Sequence, residues 1–303
     1  MHKIFVIAGA TASGKTAVAL SLAEKIGGEI ISADSMQVYR GMDIGTAKPT
    51  PDELAKIPHH LVSVINPDEQ FSAAEFQSRA AAAIAGIRAR GRVPIIAGGT
   101  GFYINALVYG AEFSDDPRES RLREEFSRFA SENGAEALHE KLRAADPNYA
   151  ATIHPNNVKR VARALAYCLA TGKLFSAHNA AQKQKPPIFD AVFFKLALPR
   201  EILYERINIR TKAMFDGGLA DETRSLLAAG YDKTLASMQG IGYKEAVQYL
   251  AGEISVGDAI ASVAQATRNY AKRQETWLRN QSPQAREVFG GSPEEIAEKI
   301  LTP

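Results

Sequence analysis

Cysteine is almost missing from this chain: Cys168 is the only one in 303 residues. A single cysteine excludes an intrachain disulfide and any cysteine-cluster zinc site, and it suits a reducing, cytoplasmic compartment. Long apolar runs are missing as well. None approaches the roughly 18 residues of a membrane helix. The apolar run at residues 4–10 opens directly into a Gly/Ser/Lys loop, so it reads as a buried strand and not as a signal peptide. An excess of either charge is also missing, with 36 basic against 34 acidic side chains and a formal charge of +2. That balance, with 46% hydrophobic residues, excludes wholesale disorder. It also argues against a protein that coats nucleic acid indiscriminately.

The length allows one large domain, or a core with a modest second unit. Residues 4–8, Ile-Phe-Val-Ile-Ala, are continuously apolar, as a central parallel strand should be. A helix is expected over 16–26, a second strand over 29–33, and a further buried strand over 93–97. Thr50-Pro51-Asp52-Glu53 and Ser72-Ala73-Ala74-Glu75 both have the pattern of a helix-opening capping box. Strand–helix alternation of this kind predicts an α/β parallel sheet with flanking helices. Between about 115 and 189 the strand signal disappears, and helices are expected over 120–130, 136–144 and 157–170. A strand returns at 191–198, followed by helices that end in a long one from about 255 to 279. The expected organisation is therefore an α/β core, 1–114 and 190–303, with an inserted all-helical domain at 115–189.

Gly9-Ala10-Thr11-Ala12-Ser13-Gly14-Lys15-Thr16 fits GxxxxGK[ST] in full, between a strand and a helix. Glycines let the backbone fold round an anion, so that successive N–H groups and the helix N-terminus point at it. Lys15 adds a mobile positive charge, and the Thr16 hydroxyl can ligate Mg²⁺. Asp34 follows the second strand, at the edge where open parallel sheets bind ligands. It could hold Mg²⁺, act as a general base, or cap a local turn. Thr100, in Gly98-Gly99-Thr100-Gly101, sits at the same edge and could donate to a leaving group or cap the next helix. A kinase would normally bring more carboxylates and arginines round the transferred phosphoryl group. No second strand-end acid is evident, so diphosphate as a leaving group is the competing reading.

Several segments together resemble the tRNA dimethylallyltransferase family. They are the loop just described, the long stretch from Ser32-Ala33-Asp34-Ser35-Met36-Gln37 to Thr46-Ala47-Lys48-Pro49, and Gly98-Gly99-Thr100-Gly101-Phe102-Tyr103. His154-Pro155-Asn156-Asn157, Gly240-Ile241-Gly242-Tyr243-Lys244-Glu245 and Tyr270-Ala271-Lys272-Arg273-Gln274 continue the series. The likeness spans about residues 4–280. Ala10 and Leu278 depart from it, where proline and phenylalanine are expected; neither side chain supplies a functional group.

The resemblance implies a P-loop NTPase-like core, an inserted domain gripping the anticodon stem-loop of tRNA, and Mg²⁺. The reaction it implies joins dimethylallyl diphosphate to N6 of adenosine 37, in tRNAs that read codons beginning with U. It gives Asp34 the role of general base and places Thr100 near the bridging oxygen of the diphosphate. The loop residues Gly9, Ala10, Thr11, Ala12, Ser13, Gly14, Lys15 and Thr16 would hold the diphosphate, with Arg206 and Arg210 from one helix face in reach. Asp34, Ser35, Met36, Gln37 and Thr100 would meet the flipped nucleotide. Further tRNA contacts are expected from Arg121, Lys159, Arg160, Arg163, Gly242, Tyr243, Lys244, Arg268 and Lys272.

The charge pattern agrees with an RNA role. Residues 151–189 contain Lys159, Arg160, Arg163, Lys173, Lys183 and Lys185 and no acid, so the near-neutral total conceals a basic segment. In helix 157–170, Val158, Val161, Ala162, Leu165 and Leu169 are expected to form the apolar stripe, with Lys159, Arg160 and Arg163 off it. In the last long helix Val263, Tyr270 and Trp277 recur every seven residues and read as core. Cys168 reads as a small buried side chain, and His59-His60 as a loop feature. The protein is expected to be monomeric and free of membrane. The rivals are an isopentenyltransferase acting on free adenosine phosphates, a small-molecule kinase, and a nucleotide-binding RNA module without catalysis.

Overall fold

The strand signals of the sequence resolve into β1 (Ile4–Gly9), β2 (Gly28–Ser32), β3 (His59–His60), β4 (Val93–Gly98), β5 (Ala191–Ala197) and β6 (Arg286–Phe289). They form one sheet in the order β3-β2-β4-β1-β5-β6, with every neighbouring pair parallel. This computed structural model describes residues 3–113, 116–282 and 284–302. The four inner strands carry the apolar runs, and β2 is buried along its whole length. A sheet apolar on both faces must be covered on both.

One face is covered by α1 (Lys15–Ile26) and α14 (Pro293–Leu301), whose Val18, Leu22, Ile296 and Ile300 pack with Ile7, Ile30, Ile95 and Leu196. Sequence neighbours of those strand residues, Val6, Ile31 and Ile96, are also fully buried and by strand alternation point the other way. There α3 (Ala73–Ala89) runs against β2 and β4, burying Phe76, Ala80, Ile84 and Ile87. The helix α2 (Pro51–Lys56) opens with both halves of the expected box: Glu53 N–H donates to the Thr50 hydroxyl, and Thr50 N–H donates to the Glu53 carboxylate at 2.7 Å. In α3 the Ser72 hydroxyl accepts from Glu75 N–H, but the Glu75 carboxylate accepts from Arg79 instead.

Two strands were not expected. His59 and His60 lie in edge strand β3, paired with Ile30 and Ile31, and are not a loop feature. His60 is held by the buried Glu29, which also takes two bonds from Arg90. The segment after the long helix is not all helical either, because β6 pairs with β5 from Phe194↔Arg286 to Ala197↔Phe289.

The chain divides into two compact units, one formed by Met1–Val108 with Pro187–Pro303 and the other by Tyr109–Pro186. The sequence-based bound at 114/115 lies outside the described residues. The second unit contains α5 (Pro117–Asn133), α6 (Ala135–Ala145), α7 (Pro147–Ala150), α8 (Val158–Thr171) and α9 (Phe175–Lys183), with α4 (Gly101–Val108) closing the preceding part of the first. In this unit α8 buries Val161, Ala162, Ala164, Leu165 and Cys168 against Phe126, Leu138, Leu142 and Phe175. Burial pushes the Cys168 thiol above its usual pKa. Leu169 is not on the stripe; it is 48% exposed, because the buried face of α8 continues through Cys168. In the first unit α10 (Arg200–Asp216), α11 (Leu219–Ala228), α12 (Tyr243–Leu250) and α13 (Val256–Gln281) complete the fold.

Candidate active site

Strand β1 ends at Gly9, and α1 begins six residues later. The intervening loop turns through two left-handed residues, Ala12 at φ 62° and Gly14 at φ 92°. For an alanine this conformation costs about 1–2 kcal/mol, so the surrounding structure imposes it. The Ser13 hydroxyl is buried here without a partner. Lys15 folds back so that Nζ donates to the Ala10 carbonyl at 2.7 Å. Burial lowers its pKa to about 8, with the Asp34 charge opposing and the Arg210 charge adding to the shift. A half-buried cation and an orphan hydroxyl at a helix N-terminus are what an arriving diphosphate would satisfy.

These residues open on a cavity of about 350 Å³ whose wall includes Thr11, Lys15, Thr16, Asp34, Arg210 and Gln274. Asp34 stands just beyond β2. Its Oδ1 accepts from Met36 N–H at 2.9 Å and from Gln37 N–H at 3.4 Å, so the carboxylate both caps the local turn and faces the cavity. Arg210, from α10, lies near Asp34; burial lowers its pKa and the Asp34 charge opposes that. Arg206 is exposed and sits outside Gly14, where a side-chain β-carbon would lie 3.8 Å from its guanidinium. Arg210 lines the cavity, and Arg206 lies beside Gly14 of the loop.

The chain after Asp34 adds to the cavity wall. Ser35, Met36 and Gln37 all reach the cavity. The Gln37 amide is nevertheless engaged on both sides: it accepts from the Ser32 hydroxyl at 2.8 Å and donates to the Thr46 and Ala47 carbonyls. That loop is fixed again by Glu222, whose carboxylate accepts N–H bonds from Asp43, Ile44 and Gly45 and an O–H bond from Tyr243 at 2.6 Å.

Tyr243 is accordingly fully buried, and its expected tRNA contact is not available in this arrangement. Gly242 is buried too, with its N–H donating to the Glu245 carboxylate at 2.8 Å, while Lys244 is exposed. The cavity is lined instead by Gln239, Gly240 and Ile241, just before them in the same motif.

Gly98 lies where a β-carbon would come within 2.2 Å of the Ala33 carbonyl, so only glycine lets β4 pass the end of β2. The next turn carries Thr100, which donates its N–H to Ala33 O and accepts Ser35 N–H on its hydroxyl at 3.2 Å. Its side chain therefore turns toward the Asp34 segment. Tyr270 of α13 has the Thr100 hydroxyl and Gln274 in hydrogen-bonding reach, and burial and the Asp34 charge push its phenol up to about 12. The expected core triad of α13 is thus corrected: Val263 is buried, Tyr270 and Trp277 are only half-buried, and Val263 and Tyr270 both line the cavity. Trp277 packs over Gly101. Arg268 bonds Asn208 and Gln265, and Lys272 is exposed.

Gln274 received no role from the sequence. It is 6% exposed, accepts from Thr11 N–H at 2.8 Å and donates to the Gly99 carbonyl at 2.9 Å. The signal for it was an amide on the Tyr270–Trp277 face of the helix, since a buried amide must find partners on both sides.

In the helical unit, Arg121, Lys159, Arg160 and Arg163 are exposed. Loss of hydration and the neighbouring Arg123 charge hold Arg163 below its ordinary pKa. The Lys183 side chain is outside the described residues. No group of three or more His, Cys, Asp or Glu among the described residues could hold a metal by itself. Mg²⁺, however, usually takes only one or two protein oxygens and completes its shell with phosphate and water. Thr16 and Asp34, both on the cavity wall, fit that pattern. No helix among the described residues is long and apolar enough to cross a membrane.

The family model described as IPP transferase matches residues 37–281. The chain is 50% identical over 282 residues to a tRNA dimethylallyltransferase of Geobacillus thermodenitrificans, covering 93% of this chain and 89% of that one. It is 46% identical over 280 residues to the enzyme of that name from Geobacter metallireducens, covering 92% and 90%. Among solved structures it is similar to the tRNA delta(2)-isopentenylpyrophosphate transferase of Staphylococcus epidermidis, with TM-score 0.72 and 41% identity over 99% of this chain and 98% of that one. A eukaryotic dimethylallyltransferase acting on tRNA superposes with TM-score 0.81 at 29% identity, covering 95% and 74%. A P-loop NTPase-like sheet, a phosphate loop facing Asp34, and likeness along nearly the whole chain make this protein a member of the IPP transferase family.

Proposed function

We propose that the protein transfers a dimethylallyl group from dimethylallyl diphosphate to N6 of adenosine 37 in tRNAs that read codons beginning with U, releasing diphosphate. The observation that carries this reading is one cavity shared by an anion cradle and a carboxylate: Lys15, Arg210 and Asp34 all line it.

The adenine amine is a poor nucleophile, because its lone pair is delocalised into the ring. Asp34 accepts its proton as the bond from N6 to the allylic carbon forms. The bond from that carbon to the bridging oxygen breaks, and its electron pair leaves with diphosphate. The loop N–H groups, Lys15 and Arg210 meet the charge that develops there, with no reorganisation needed at the moment of reaction. Thr100 donates a hydrogen bond from its hydroxyl near the bridging oxygen and keeps its proton. Bound Mg²⁺, held by the Thr16 hydroxyl and diphosphate oxygens, would neutralise further charge on the leaving group.

The helical unit Tyr109–Pro186, with Arg121, Lys159, Arg160 and Arg163 on its surface, grips the anticodon stem-loop by phosphate contacts. The adenosine then flips out of the loop into the cavity. An acceptor-gripping unit favours tRNA over free adenosine phosphates, and the enzyme works as a cytoplasmic monomer. The test is incubation with radiolabelled dimethylallyl diphosphate and Mg²⁺, in parallel with unmodified tRNA and with AMP. Label in tRNA alone is expected. Label in AMP would select the free-nucleotide enzyme, and label in neither would overturn prenyl transfer.

A further inference from the structure

The long helix α13 presents Tyr270, Gln274 and Trp277 on one face, at spacings of four and three. Each meets the stretch from Gly99 to Gly101, where β4 passes into α4. Trp277 lies so close over Gly101 that a β-carbon there would fall 2.0 Å from the indole, and one on Gly99 would fall 2.1 Å from the Gln274 amide nitrogen. The helix and the glycine loop therefore fit without slack.

Gln274 does more than fill this space. Its carbonyl oxygen takes the Thr11 N–H of the phosphate loop, and its NH₂ reaches Gly99 O. The next residue, Thr100, bonds by its N–H to Ala33 O, directly before Asp34, and by its hydroxyl to Ser35 N–H, directly after it. An unbroken series of bonds thus runs from the leaving-group cradle to Gln274, to the Thr100 turn, and on to Asp34. The Gln274 amide is the only side chain in that series that is bonded to both loops.

We infer that Gln274 is a positioning residue for the transfer reaction: through its one amide it fixes the spacing between the phosphate loop and the turn that carries Thr100 and braces Asp34. It touches no reacting atom. The inference rests on the proposed prenyl transfer. Its consequence is selective, because substrates can still be held by loops that are slightly misplaced, whereas a misplacement of 1 Å can cost on the order of 10²-fold in rate.

Two substitutions test it. Gln274→Met keeps length and approximate volume and removes both bonds. Gln274→Glu keeps the acceptor for Thr11 N–H but, when ionised, turns a second acceptor toward Gly99 O. Once protonated, the introduced carboxyl has one carbonyl acceptor and one O–H donor, the same pair as the amide. Burial raises the pKa of such a carboxyl into the accessible range. Single-turnover rates are measured at saturating tRNA and dimethylallyl diphosphate between about pH 5 and 9, each as a ratio to the parent protein at the same pH and corrected for folded fraction by circular dichroism.

The Met variant is expected to be slowed at least about tenfold at every pH, with KM for both substrates changed less than about threefold. The Glu variant is expected to match it at high pH and to recover toward the parent rate as pH falls. A purely structural role would lower the folded fraction and leave the corrected rates alone. Corrected rates equal to the parent in both variants, or a Glu variant whose ratio does not rise on acidification, would overturn the inference. A parent protein that fails to prenylate tRNA would instead overturn the function on which it rests.

Discussion

The Tyr243 hydroxyl donates to the Glu222 carboxylate at 2.6 Å, and the same carboxylate gathers three backbone N–H groups from residues 43–45. One half-buried acid thereby ties α11 and α12 to the loop that carries the cavity residues Gly45, Thr46 and Ala47. Burial and the Glu222 charge both push the Tyr243 phenol up, so it remains a proton donor at any working pH. Tyr243→Phe removes a hydrogen bond to a charged group, for which about 1.5–3 kcal/mol of stability is expected to be lost. Gly45→Ala drives a β-carbon to 2.5 Å from the Tyr243 ring, and overpacking of this kind costs about 1–3 kcal/mol. Urea unfolding of both variants checks these values. A Gly45→Ala protein as stable as the parent would mean that the ring has room to move.

In the proposed reaction Asp34 has two duties, bracing its turn and taking the proton, and one substitution separates them. Its Oδ1 braces the turn by accepting from Met36 N–H, which an asparagine carbonyl does equally well. Asn has no basic oxygen to take the proton from the adenine amine. Asp34→Asn is therefore expected to keep the fold and bind tRNA normally while turnover drops at least about 10²-fold, the lower end for loss of a general base. Asp34→Ala should lose turnover equally and some stability as well. Turnover near the parent level in the Asn variant would remove Asp34 from the chemistry.

Lys15 gives a pH dependence of definite sign. Its pKa falls from the ordinary 10.5 to about 8 in the folded protein. Between these values the unfolded chain holds more protons, so this group makes the ligand-free protein more stable as pH rises from about 8 toward 10.5. Below about 8 both states are protonated, and the cost of burying the charge is present in full. Diphosphate binding should run the opposite way. Its affinity, taken relative to a Lys15→Met variant at each pH, is expected to fall as pH rises through about 8, with proton uptake on binding above that point. Calorimetry in two buffers of different ionisation enthalpy measures both. A relative affinity constant up to about pH 9.5 would contradict the shifted lysine.

Much of the frame could be read from the chain because its signals were local. The phosphate loop sits between an apolar strand and a helix, and the Thr50–Glu53 box forms with both of its bonds. What escaped was set by tertiary partners. Strand β6 buries only Val288 among four residues, and β3 is two residues long, so neither has a pattern of its own. The family likeness implies an RNA contact for Tyr243, and nothing local in the sequence signals that its hydroxyl is bound by Glu222 from another helix. Tyr270 and Gln274 lie on the face that the seven-residue spacing assigned to the core, and that face does turn inward. It turns toward a cavity and two loops, which periodicity cannot distinguish from packed hydrocarbon.

The basic face of α8 makes the RNA reading measurable. Val161, Ala162 and Leu165 anchor the helix in the core of its unit, which leaves Lys159, Arg160 and Arg163 outward at three- and four-residue spacing. Because these side chains are exposed, replacing all three with alanine should leave the unfolding midpoint nearly unchanged. Each phosphate contact that is lost should reduce the steepness of log K against log salt by somewhat less than one, roughly 0.7 being the value for single strands. Arg163 lies near Arg123, whose guanidinium is bonded to the buried Glu119, so removing it also relieves a repulsion between like charges. The triple variant is therefore expected to bind unmodified tRNA more weakly and with a flatter salt dependence, and to keep its single-turnover rate once tRNA is saturating. Filter binding over a range of salt concentrations supplies the slope. A slope identical to the parent's would show that α8 does not meet the phosphates and would move the gripping surface to another face of the helical unit.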